Sequence, residues 1–163
     1  MKRSLVLVLL VTIAACAGTY PLTHAQPSAE ALAREVLSAL SQRHHARLRA
    51  LALDELEFER RVWPALPVAR PERNVPWSYV WGDLRQKSEM TLARTLSQHG
   101  GTHYELEGVR FRGATTHHGS YTVHRETVLS VRDANGDRQQ LRVMGSMIEA
   151  GGDWKVFSYV VDE

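Results

Sequence analysis

The first clear amphipathic period in the chain begins after Ser28. Ala29, Leu32, Ala33, Val36, Leu37 and Leu40 recur at alternating steps of three and one, which places a continuous apolar stripe on one face of a helix. Ser28 is a good N-cap for that helix, and Glu30 stands in the first turn, where the helix dipole favours an acid. A second helical segment is expected over 44–53, with Leu48, Leu51 and Ala52 on one side. Asp54 and Glu57 lie three apart ahead of Phe58, Val62 and Trp63, which predicts a capped turn ending at Pro64, because proline restricts the residue before it. Pro64, Pro67, Pro71 and Pro76 then predict an extended, partly rigid loop over 64–76.

A long helix is expected over 77–99, with Val80, Trp81, Leu84, Thr91, Leu92 and Leu96 roughly in phase and Gly100-Gly101 ending it. Beyond it the period changes to two, and strands are expected at 104–111, 121–132, 139–150 and 154–161. Asn135-Gly136 and Gly151-Gly152-Asp153 are hairpin signals, so the last three strands should be sequential antiparallel neighbours. The fold class is therefore α+β, with N-terminal helices packed on a four-stranded antiparallel sheet, all within one domain over 28–163.

The N-terminal pattern is different. Lys2 and Arg3 precede an uncharged apolar run over 5–15, the layout of a secretory signal. At 1.5 Å per residue that run spans about 16 Å, roughly half of a bilayer's hydrocarbon core, so it is too short for a stable membrane span. Ile13-Ala14-Ala15-Cys16 resembles the lipobox of bacterial lipoproteins, which implies a signal peptide over 1–15, lipidation of Cys16 and a flexible tether over 16–27. The competing cut falls after Ala25, where Thr23-His24-Ala25 suits an ordinary signal peptidase and would release a soluble periplasmic or secreted protein. Cys16 is the only cysteine, so no disulfide forms within one molecule, and lipidation gives the thiol a use. Two or three acyl chains would hold the protein to the cell envelope, on the periplasmic side of an outer membrane if the host has one.

Charge then excludes a class of partner. Processing removes Lys2 and Arg3 and no acid, so the formal +2 of the whole chain falls to zero and no electrostatic case for nucleic acid remains. Eight histidines raise the question of metal, but His44 and His45 are adjacent on an expected helix and diverge by about 100°. His103, His117, His118 and His124 lack a metal-ligand pattern, so no metal and no cofactor are expected. His124 and Glu126 share a face of an expected strand and are candidates for a general base and its orienter. Trp63, Trp77, Tyr79 and Trp81 flank Arg70, Arg73 and Asn74, a combination of aromatic area and anion recognition that suits a ligand or partner. The charged run over 55–61 reads as a solvated helix face.

Helices followed by a meander of long antiparallel strands, closing on Gly152-Asp153-Trp154-Lys155-Val156, resemble the cone-shaped nuclear transport factor 2-like superfamily, which includes SnoaL-like cyclases and ketosteroid isomerase. The resemblance covers roughly 28–163 and implies a curved sheet wrapped against helices around a pocket. The acid, base and tyrosine of the superfamily's enzymes have no matching positions here, and one cone serves many activities. The expectation is a lipid-anchored, non-enzymatic domain that binds a small amphiphile or an envelope protein through Trp63, Arg70, Arg73, Trp77 and Trp81. The alternative is a SnoaL-like lyase or isomerase using Tyr121, His124 and Glu126, and the resemblance also implies possible homodimers through the sheet.

Overall fold

Ser28 caps the first helix as its position predicts: its side chain accepts from the N–H of Ala31 at 3.1 Å and starts α1 (Ala29–Ser41). The computed structural model describes residues 20–161. After α1, α2 (His45–Leu51) turns Leu48 and Leu51 inward. α3 (Glu55–Glu57) opens on a capping box, in which Asp54 accepts from the N–H of Glu57 and the Glu57 carboxylate accepts from that of Asp54. It continues into a π turn over Phe58–Val62.

The proline stretch is more regular than expected. It forms three 3-10 turns, Trp63–Ala65, Pro67–Ala69 and Pro71–Arg73, each with a proline at its first or second position, where the missing N–H costs nothing. α4 (Trp77–His99) has the predicted limits. A Cβ at Gly100 would lie 2.3 Å from the Leu96 carbonyl oxygen, and Gly101 takes φ 87° and donates to the Leu40 carbonyl, tying the ends of α4 and α1 together.

Where four long strands were expected there are seven among the described residues: β1 (Tyr104–Phe111), β2 (Thr115–His117), β3 (Thr122–His124), β4 (Thr127–Asp133), β5 (Arg138–Leu141), β6 (Ser146–Ala150) and β7 (Asp153–Ser158). They form two antiparallel sheets, of order β1-β4-β5 and β2-β3-β6-β7. The expected 121–132 strand breaks at Arg125 and Glu126, where Glu126 takes φ 54°, and the expected 139–150 strand breaks over 142–145. Backbone bonds from Arg112 to Glu126, Gly113 to Arg125, Thr127 to Gly145 and Gly145 to Ser158 carry the pairing through both breaks. The meander is thus creased along one line. Gly145 permits the crease, since a Cβ there would lie 1.6 Å from the Val160 carbonyl oxygen. The expected pairing order of the last three strands holds, as β3 and β4 pair with β6 and β5, and β6 pairs with β7.

Two apolar clusters follow from this geometry. Leu32, Val36, Leu40, Leu48, Leu129, Val131 and Met147 centre the first, between α1, α2 and the sheets. Leu22, Leu53, Phe58, Val62, Trp81, Tyr121, Val123 and Ile148 form the second, with Trp63 and Trp77 packed against it. Met147 and Ile148 are neighbours on β6 and point into different clusters, so the four-stranded sheet is covered on both faces.

The folded part also begins earlier than Ser28. Leu22 is buried, Thr23 bonds to Glu57, and Gln26 exchanges two 2.8 Å backbone bonds with Trp154. Residues 20–27 are therefore docked on the body and are not a flexible tether. The signal peptide over 1–15 and the lipidation site Cys16 lie outside the described residues.

Candidate functional site

Leu48 and Leu51 face the first cluster, and α2 turns Ala46 and Ala50, one helical turn apart, the other way. These short side chains face Trp81, Leu84, Ser88 and Leu92 of α4 across a gap floored by Leu53, Phe157 and Tyr159. The cleft has a volume of about 400 Å³, within the usual range for small-molecule sites. Only Trp81, Leu92 and Thr95 of the 23 residues in α4 are buried, so the helix spans this gap without filling it.

The polar groups of the cleft divide into committed and uncommitted ones. Arg49 Nε donates to Glu89 at 2.7 Å, and His45 Nε2 lies 3.6 Å from the same carboxylate. Tyr159 donates its hydroxyl to the Leu48 carbonyl at 2.7 Å, and burial raises its pKa. Ser88 Oγ accepts from the Tyr159 N–H at 2.9 Å, which leaves its own hydroxyl proton without a protein acceptor among the described residues. Arg85 and Glu55, both exposed at the rim, have no ion-pair partner among the described residues.

Trp81 carries the decisive group. Its ring lies against Phe58, with centroids 5.2 Å apart, and its Nε1–H is buried without an acceptor. Among the described residues Arg61 Nε and Thr127 Oγ1 share that condition, but only Trp81 lines the cleft. A buried donor left unpaired costs about 1–3 kcal/mol, and because the nitrogen itself has no water-accessible surface, an acceptor oxygen in the cleft would recover part of it only after the ring shifts.

Of the five residues expected to bind ligand, only Trp81 lines this cleft. Trp63 and Trp77 pack against the second cluster, while Arg70 and Arg73 are exposed on the 3-10 turns. No residue of the 3-10 turns lines the cleft, so neither arginine is part of it. Sequence reasoning missed Ala46, Ala50, Ser88, Phe157 and Tyr159. The alanine pair four apart on a short helix, opposite a leucine–serine–leucine row at the same spacing, was the available signal.

The acid–base candidates are not brought into one cavity. Tyr121 is buried, donates to the Val62 carbonyl at 2.9 Å, and has its pKa pushed up to about 12 by burial. His124 stacks against both Phe111 and Trp154, at centroid distances of 4.7 and 4.9 Å, while those two rings also stack on each other at 6.3 Å, and its Nδ1 lies 3.2 Å from Thr115 Oγ1. Burial lowers the His124 pKa, Glu149 opposes that shift and His117 adds to it. Glu126 does not share the expected face with His124, because its positive φ sits in the crease and breaks the alternation. It lines a separate polar hollow with Arg125, Arg142 and Ser146. No group of three or more His, Cys, Asp or Glu is placed to hold a metal ion among the described residues.

Glu57 contradicts the solvated-face reading of 55–61. Its side chain is 0% exposed and paired with Lys155, 1% exposed, whose Nζ lies 2.9 and 2.7 Å from its two oxygens. Thr23 donates to the same carboxylate from its N–H at 2.6 Å and its hydroxyl at 2.9 Å. Arg60 lies over the ring of Tyr20, and Arg61 donates to the Tyr20 carbonyl, so the run clasps the N-terminal segment. Comparison with protein-family models, curated proteins and solved structures found no match for this chain.

Proposed function

We propose that the protein is an exported, lipid-anchored, non-enzymatic domain that binds a small amphiphile in the cleft between α2, α4 and β7. The observation that carries this reading is the buried, unpaired Nε1–H of Trp81 at an apolar cleft of about 400 Å³. An apolar tail would lie along Ala50, Leu84, Leu92 and Phe157, and an acceptor oxygen would take the Ser88 donor and, with a shift of the indole, the buried Trp81 donor.

The anchor at Cys16 is favoured over cleavage after Ala25 by the docked segment. A cut at Ala25 would remove Leu22 from the second cluster and both Thr23 donors from a carboxylate with no access to water. The creased antiparallel meander behind helices supports the nuclear transport factor 2-like reading of the fold, with the cleft in the role of the cone's pocket.

Titration of intrinsic tryptophan fluorescence with laurate, monolaurin and peptidoglycan fragments tests the binding reading. A saturable response to the lauroyl compounds that Trp81→Phe abolishes is expected. A flat response to all three, in a folded protein, contradicts it.

A further inference from the structure

Ala17, Gly18 and Thr19 are the only residues between Cys16 and the docked Tyr20. Fully extended, the four steps from Cys16 to Tyr20 reach at most about 14 Å. A domain of this size has a radius of gyration near 15 Å and, as a sphere, a radius of roughly 19 Å. The leash is shorter than the body it holds, so the body cannot swing clear of a surface that fixes Cys16.

The corner where the leash enters has a distinct chemistry. Arg60 is exposed and lies 5.5 Å over the centroid of the Tyr20 ring, and Arg61 donates to the carbonyls of Tyr20 and Ser120. Neither arginine has a carboxylate partner among the described residues. Leu56, four residues before Arg60, is one of three large apolar side chains exposed among the described residues. Tyrosine at the headgroup level, arginine facing anionic lipid and an exposed leucine are the residues that suit a bilayer interface.

We infer that the domain docks directly on an anionic lipid surface through the corner formed by Tyr20, Leu56, Arg60 and Arg61, with the β4–β5 turn pointing away. Ser120 lies in the β2–β3 turn, and the creased ribbon runs from there to the β4–β5 turn at Asn135, which places Asn135 at the opposite end. This inference rests on the lipid anchor proposed above and is independent of what the cleft binds.

The test uses the full chain, exported and acylated in a bacterial host and reconstituted into vesicles containing phosphatidylglycerol. Acylation consumes Cys16, so Leu56→Cys or Asn135→Cys supplies a single thiol for a fluorescent label, with circular dichroism checking the fold of each. Headgroup-nitroxide lipid should quench the label at position 56 several-fold more than at position 135. Equal quenching, or stronger quenching at 135, in protein that floats with the vesicles overturns the docking and leaves the anchor standing. Protein that carries no acyl group by mass spectrometry and fails to float overturns both.

Discussion

Strand β7 borders two regions built on opposite principles. Near its start Lys155 enters an ion pair closed to water, where the two oxygens of Glu57 share donors from the N-cap of α3, from β7 and from the N-terminal segment. Toward its end Phe157, with Tyr159 just beyond, floors a cleft beside which a buried indole N–H has no acceptor and α4 is hardly buried. Complete satisfaction marks the first region as the part that fixes three distant chain segments in place. The deficit in the second marks it as the part left open for something else.

Breaking the clasp should have the largest effect. Lys155→Ala leaves the Glu57 carboxylate buried without its cation and should cost about 3–5 kcal/mol by urea unfolding, whereas Lys155→Met combined with Glu57→Leu should be far milder. If the single and double variants lose equally, the pair is not what joins those segments. A chain beginning at Gln26 forfeits Leu22 and the Thr23 donors, and should unfold about 2–3 kcal/mol more easily than one beginning at Tyr20. Equal stabilities would contradict the docked segment and restore a simple tether.

The cleft should respond in the reverse way. Ala50→Leu places a larger apolar side chain in empty space, so stability should change by less than about 1 kcal/mol, well below the cost of overpacking a filled core. Calorimetric titration with monolaurin should nevertheless show binding lost. A large destabilisation with binding intact would mean that the gap is closed in solution.

The smallest effect concerns pH. Burial holds His124 below its ordinary pKa, so as pH falls below about 6.5 the unfolded chain takes up a proton that the folded state resists. The contribution of His124 to stability is therefore complete above that pH and decreases on acidification toward the lowered folded value. His124→Phe keeps a flat ring against Phe111 and Trp154 and should reduce the fall in urea midpoint between pH 7.5 and 5.5. The remaining slope includes His99, whose pKa burial also lowers.

How much of this was legible in the sequence depends on the range of the interaction. The Ser28 cap, the Asp54–Glu57 box, the limits of α4 and the Asn135-Gly136 turn are local, and the sequence displays each of them. The crease is not local: Glu126 at φ 54° and Gly145 against Val160 answer to neighbouring strands, so two uninterrupted strands were the natural reading. Glu57 looks like any acid in a charged run until Lys155, 98 residues later, lies beside it. The same holds for the cleft, whose residues come from α2, α4 and β7, while the conspicuous tryptophans nearby serve mostly as packing.

The central claim concerns one hydrogen atom, and proton–nitrogen correlation spectra report on it. With the indole resonance of Trp81 assigned through Trp81→Phe, titration with monolaurin should move that signal saturably downfield while those of Trp63, Trp77 and Trp154 stay nearly fixed. A Trp81 signal that does not move, or four indole signals that move together without saturating, would contradict a specific amphiphile site in the cleft.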